Sequence, residues 1–169
     1  MNTKQMVMTA LFIAMVFVAT NIRIHIPIGT GGLIHIGTLT MFAIALKYGP
    51  LQGALSGGVG MAIFDIFAGW TAWAPGTLVI RLLAGFLVGK LAANAGDDAK
   101  LQNLLAVFVG GLVIIGGYYV FEAVFITHYT TAFASIPGNI AQVGIGSLAV
   151  FLLGSLPEKS MLETQSIST

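Results

Sequence analysis

The sequence predicts an all-α polytopic membrane protein, a single-domain bundle of six transmembrane helices with both termini inside. Three observations predict it. Only 8% of the 169 residues are charged and 57% are hydrophobic, whereas an average soluble domain carries roughly 25% charged residues. The apolar residues fall into long runs broken by short Gly, Pro and polar segments, which is the pattern of spans and loops. Glycine is frequent, at 22 residues, and suits close helix packing in lipid. Disorder is excluded because it needs low hydrophobicity and high net charge. At about 20 residues per span, six spans use roughly 120 residues and leave no room for a second soluble domain.

Each element follows from the breaks. Span 1 covers about Gln5–Thr20; its apolar run lacks a small-residue cleavage site and is expected to stay in the membrane. A loop from Asn21 to about His35 follows, with Arg23, His25, Pro27 and the run Gly29-Thr30-Gly31-Gly32. Span 2 is Ile36–Leu46, short unless it begins inside that loop. The turn Lys47-Tyr48-Gly49-Pro50 leads into span 3, Leu51–Trp70. After the turn Thr71–Pro75, span 4 runs Gly76–Ala92, with Pro75 suited to a helix start. Asn94–Lys100 is a polar loop. Span 5 runs from Leu101 to about Tyr129, and Thr130–Ile136 connects it to span 6, which Pro137 opens and Leu156 ends. The tail Pro157–Thr169 is polar.

Lysine and arginine set the orientation. With the N-terminus inside, Lys4, Lys47, Lys90, Lys100 and Lys159 fall on the cytoplasmic side, Arg23 falls outside, and Arg81 lies within span 4. All three histidines, His25, His35 and His128, then lie at the outer side.

Several function classes are excluded. A net charge of +1 is no signal for a polyanion. The absence of Cys removes disulfides, thiolate metal sites and cysteine nucleophiles. No Gly-Lys-Ser/Thr follows the Gly29–Gly32 run, so it is read as a hinge loop that could close over an outer pocket rather than as a phosphate loop. Neither metal-ligand spacing nor a nucleophile–base arrangement points to an enzyme.

Ionisable residues inside spans are functional candidates by default. Three occur: Asp65, Arg81 and Glu122. At about 1.5 Å per residue, all three are expected roughly 8–11 Å below the outer surface. Asp65 and Arg81 either neutralise each other or face a ligand. Glu122 is left over and needs a donor partner, a proton or a ligand. Trp70 and Trp73 flank the outer turn between spans 3 and 4, as interface anchors or as a stacking platform for a flat ring. Tyr118 is four residues from Glu122 and shares its face. Asn139 and Gln142 share a face at the start of span 6; Asn139 is either an N-cap or, with Gln142, a reader of a heterocycle's donor–acceptor edge. His35 is divided between a loop hydrogen bond and a ligand contact. Small residues at four-residue spacing occur in span 3 (Gly49, Gly53, Gly57) and span 4 (Gly85, Gly89), where they are expected to pack the protein's own helices. Ala10 and Ala14 in span 1 make a similar stripe that is available for another protein.

Nearly the whole chain resembles the substrate-binding S components of energy-coupling factor (ECF) transporters, prokaryotic vitamin-uptake systems. The residues that carry the resemblance are Ala10 and Ala14, the loop Ile26-Pro27-Ile28-Gly29 to His35-Ile36-Gly37, the block Gly49-Pro50, Gly53 and Trp73-Ala74-Pro75, and Gly138-Asn139 with Gln142. Within the family the chain is most similar to the hydroxymethylpyrimidine or pyridoxine group, with riboflavin-type members as relatives. The resemblance implies capture of a vitamin from outside and docking through Ala10 and Ala14 on a transmembrane coupling subunit that carries two ATPase subunits. It implies a multi-pass protein of the prokaryotic plasma membrane, with no cofactor in this chain beyond its vitamin ligand and ATP hydrolysis only in the partners. His35, Arg81, Tyr118, Glu122, Asn139 and Gln142 become candidate contacts; Asp65, Trp70 and Trp73 join them from the residue reading. The alternatives are a stand-alone carrier or channel for a small polar solute, or an S component for pantothenate or riboflavin, Arg81 suiting a carboxylate.

Overall fold

A computed structural model describes residues 2–25, 33–93 and 99–153. Its elements are α1 (Thr3–Asn21), β1 (Arg23–His25), β2 (Leu33–His35), α2 (Gly37–Tyr48), α3 (Pro50–Phe67), α4 (Ala74–Ala92), α5 (Ala99–Phe121), α6 (Tyr129–Ala132) and α7 (Ile136–Leu153). A π-helical turn, Glu122–Ile126, extends α5, and a 3-10 turn, Phe133–Ser135, joins α6 to α7. The all-α prediction holds. The Gly29–Gly32 run, the Asp97-Asp98 loop, Lys159 and the polar tail lie outside the described residues.

Local chemistry sets the helix ends. Asn2 and Gln5 form a reciprocal capping box at the start of α1. Gly49, at φ +87°, ends α2 in a backbone conformation that L side chains rarely adopt, and its N–H donates to the Ala45 carbonyl. Pro50 and Pro75 then open α3 and α4, where a missing N–H costs nothing.

Four stretches among the described residues are long and apolar enough to cross a membrane: Thr3–Asn21, Ala74–Ala92, Lys100–Ile126 and Tyr129–Leu153. The other two expected spans differ for separate reasons. At 12 residues, α2 is only about 18 Å long, because the chain before it is spent on the β1–β2 hairpin. The 18-residue α3 is diluted by Gln52, Ser56, Asp65 and several glycines, since most of its surface meets protein rather than lipid. It packs against α4, α1 and α2. The hairpin itself was not expected. Its register pairs Arg23 with His35 and Ile24 with Ile34, in a segment read only as loop.

The core lies between α2, α4, α5 and α7 and includes Met41, Phe42, Val88, Val107, Ile114 and Val150. Large apolar side chains such as Val7, Phe67, Phe125 and Leu152 point outward, as lipid-facing residues do. Small residues let the inner helices approach. Gly53 and Gly85 meet backbone to backbone between α3 and α4, and Gly89 faces Gly49 and Pro50. The glycine stripes of α3 and α4 therefore pack the protein against itself, as expected.

A side chain at Gly85 would run into the Gly53 carbonyl, with the Ala54 nitrogen 2.9 Å away. Backbone cannot swing aside, so Gly85→Ala is expected to cost about 1–3 kcal/mol or more. Gly116 has nothing within 4 Å of the position its Cβ would take, so Gly116→Ala is the matched control and should be tolerated. Melting temperatures of the two purified variants check this; equal values would show that the α3–α4 contact is not tight.

Candidate functional site

Trp73, the N-cap of α4, is followed within the helix by Thr77 and Arg81 at four-residue spacing, which stacks the three on one face. Each is a rung with a partner from a neighbouring helix. The Trp73 indole N–H donates to Glu122 Oε1 at 3.3 Å. The Thr77 hydroxyl donates to Asp65 Oδ2 and accepts from the Tyr118 hydroxyl at 2.9 Å. Arg81 Nε donates to the Tyr118 oxygen at 3.4 Å, and its Nη1 donates to Thr38 Oγ1 at 2.9 Å. The guanidinium also lies 5.3 Å from the Tyr118 ring centroid, within cation–π range.

The direction of this chain has only one solution. Arginine can only donate, and an ionised carboxylate can only accept. Protons must therefore point from Arg81 to Tyr118, from Tyr118 to Thr77, and from Thr77 to Asp65. Asp65 and Arg81 are joined through two hydroxyls rather than in a direct pair. Arg81 is only 2% exposed, and such a charge in lipid needs this kind of compensation.

Glu122, the expected leftover, finds a neutral donor in Trp73. The α4-side positions that meet these groups run from Trp73 to Arg81, two helical turns or about 12 Å. The first rung meets Glu122, the second Asp65, and Arg81, the farthest from Trp73, makes the deepest.

A second cluster adjoins the deepest rung. The Gln142 carbonyl oxygen accepts from the His35 backbone N–H at 2.9 Å. Its amide nitrogen lies 3.0 Å from the His35 carbonyl oxygen and also within hydrogen-bond distance of Thr38 Oγ1 and the His35 ring. Burial, followed by the Arg81 and Arg23 charges, pushes His35 down to about 3, so its ring is neutral at pH 7. Phe64 lies between the His35 ring and the Arg23 guanidinium, at 6.4 and 5.3 Å. The backbone and ring of His35 are thus both within hydrogen-bond reach of Gln142.

Asn139 is inside the first turn of α7, which begins at Ile136. It is not the N-cap, and among the described residues no hydrogen bond ties it to the network. It is half-buried on the Gln142 side of the helix. Trp70 meets Trp73 edge to face, with centroids 5.2 Å apart, and both are half-buried. Trp73 is thus engaged with Glu122 and is more than an interface anchor.

Three features were missed. Thr77 had a legible signal, four residues before a membrane-buried arginine. Thr38 had none, because α2 and α4 are far apart in sequence. The π turn at Glu122, marked by the Thr127 N–H donating to the Glu122 carbonyl at 2.8 Å, is invisible to a 3.6-residue pattern. Such turns are frequent at functional sites.

Comparison with known proteins decides the family. The model of the family described as ECF-type riboflavin transporter, S component, matches residues 1–158. The chain belongs to this family. It is similar to the Thiamine precursor transporter HmpT of Lactococcus lactis subsp. cremoris (strain MG1363), at 24% identity over 94% of this chain and 90% of that protein. It is also 35% identical to an uncharacterized protein in a gap 3' region of Pyrococcus woesei, over 57% of this chain and 63% of that protein.

For an S component, the face of α1 is of interest. Its buried residues are Thr9, Phe12, Val16 and Thr20. Thr9 donates to Gln52 of α3 at 2.9 Å and fixes that face inward. Ala10 and Ala14 are both exposed, so this stripe is not consumed by internal packing as those of α3 and α4 are.

Proposed function

We propose that this S component captures a small, flat aromatic vitamin or vitamin precursor, pyridoxine or hydroxymethylpyrimidine, from outside the cell. The observation that carries the reading is the Trp73–Glu122 contact. A half-buried carboxylate there receives a neutral indole N–H on Oε1, beside an edge-to-face Trp pair. A carboxylate has several lone-pair sites, so Glu122 keeps capacity for N–H or O–H groups on a ring held by Trp70 and Trp73. An aminopyrimidine and pyridoxine both carry such donors. Tyr118 and Asn139 are half-buried around the same end of the bundle and complete the proposed contact set, while Asp65 accepts from Thr77 inside the protein. Arg81, Gln142 and His35 spend hydrogen bonds inside the protein and hold that set in place.

The partners in this reading are a transmembrane coupling subunit, met through Ala10 and Ala14, and two ATPase subunits that hydrolyse ATP. The location is the prokaryotic plasma membrane. Family membership favours this subunit role over a stand-alone carrier or channel. One observation favours a second ligand. The described hydrogen bonds of Arg81 go to hydroxyls rather than to a carboxylate, which suits an acidic vitamin such as pantothenate.

Calorimetry of the purified protein with pyridoxine, hydroxymethylpyrimidine, pantothenate and riboflavin tests the reading. Binding of one of the first two is expected, with no ATP hydrolysis by this chain. Selective pantothenate binding would move the ligand site to Arg81, and selective riboflavin binding would require a larger ring site than the Trp pair.

A further inference from the structure

We propose that Thr38 is a positioning residue that couples the Arg81–Tyr118–Thr77–Asp65 cluster of α3, α4 and α5 to the outer hairpin. It rests on the substrate reading above only for its effect on binding; its effect on the hairpin stands without a ligand.

Thr38, the second residue of α2, is 0% exposed. Its Oγ1 faces Arg81 Nη1 at 2.9 Å on one side and Gln142 Nε2 on the other. A guanidinium and an amide NH₂ are both donors without lone pairs to offer. One hydroxyl oxygen therefore accepts from α4 and from α7 at once. Its orientation is set by packing. A side chain at Gly146 would meet Thr38 Cγ2 at 2.8 Å, so α7 presses on the methyl group from close range. With the methyl fixed, the oxygen is left pointing at the two donors.

Beyond Thr38 the connection continues through one side chain. Gln142 accepts from the His35 N–H and approaches the His35 carbonyl, so it grips both backbone groups of the last hairpin residue. On the other side, Arg81 leads through Tyr118 and Thr77 to Asp65. Remove the Thr38 oxygen and two buried donors lose an acceptor, one in each half. Buried donors left without a partner are costly, so both groups are expected to reorient. Gln142 then releases its hold on His35.

Thr38→Val keeps the shape and removes the acceptor, Thr38→Ala removes acceptor and methyl, and Thr38→Ser keeps the acceptor. Hydrogen–deuterium exchange of the purified protein, read on peptides spanning 33–36, is the ligand-free measurement. Exchange there is expected to rise about tenfold, from one buried hydrogen bond lost, in the Val and Ala variants and to fall back toward the parent rate in Ser, which keeps the oxygen but not the methyl that orients it. Peptides of residues 101–112 in α5, on the far side of Tyr118 from the cluster, should keep parent rates. Parent exchange at 33–36 in both Val and Ala variants overturns the proposal. Equal acceleration throughout the helices also overturns it, since Thr38 would then be only a core residue. The binding arm titrates pyridoxine and hydroxymethylpyrimidine by calorimetry and expects weaker affinity in Val, restored in Ser. A parent that binds neither compound defeats the substrate reading alone, and the exchange result still decides Thr38.

Discussion

Glu122→Ala is expected to weaken vitamin binding by about 10- to 100-fold, the loss of one charge-assisted hydrogen bond at roughly 1.5–3 kcal/mol. The melting temperature of the free protein should move little. Glu122 is half-buried at the Trp73 end of the bundle, and among the described residues its side chain accepts one long hydrogen bond from a neutral indole. Asp65→Ala should behave in the opposite way. Asp65 terminates the proton-ordered chain from Arg81, so its removal strands a cation that is 2% exposed. Removing the acceptor at the end of a buried hydrogen-bonded chain typically costs about 1–3 kcal/mol, so Asp65→Ala should appear as a lowered melting temperature. Calorimetry and thermal melting on the two variants separate the roles. If Asp65→Ala binds worse than Glu122→Ala while both remain equally stable, the ligand-facing acid is Asp65.

The second large effect is at α1. Ala10→Trp or Ala14→Trp is expected to reduce vitamin uptake by the assembled transporter to background, yet leave ligand binding by the lone subunit at the parent affinity. The inward face of α1 is already occupied by Thr9, Phe12, Val16 and Thr20, and Thr9 is bonded to Gln52. An indole at position 10 or 14 therefore projects away from the bundle. Close helix contact in lipid depends on small residues, and a side chain of that size holds a partner helix off. Uptake in reconstituted complexes and binding by isolated subunit are the two readouts. Lost binding would mean that the stripe packs internally, and parent uptake would mean that docking uses another face.

Much of the fold was legible because helix ends carry local signals. Span 1, read as Gln5–Thr20, is Thr3–Asn21, and span 4, read as Gly76–Ala92, is Ala74–Ala92. Pro50, Pro75 and Gly49 mark those turns by their own backbone chemistry. The hairpin was not legible, since two three-residue strands separated by Pro27 and a glycine run look like loop. Nor was the end of α5, where a π turn replaces the continuous span expected as far as Tyr129. In the candidate site, the costly residues Asp65, Arg81 and Glu122 stood out, as did Trp73 and Tyr118, and the threonine partners Thr38 and Thr77 did not. Threonine in a transmembrane helix usually bonds its own i−4 carbonyl, as Thr20 does with Val16, and gives no hint of a distant role.

The sequence by itself determined the solvent and the places where charge would be buried. Lipid cannot solvate an ionised group, so a chain with so few charges announces both its environment and its exceptional positions without reference to any neighbour. Only the tertiary structure decided who meets whom. Whether Arg81 reaches Asp65 directly or through Tyr118 and Thr77 depends on the rotation of α4 against α3 and α5. That rotation is set by backbone contacts such as Gly53 on Gly85, which no run of residues encodes on its own. The same holds for Thr38, whose oxygen became a meeting point because α7 comes close at Gly146. Burial cost is a property of one side chain and its medium, whereas pairing is a property of several helices at once.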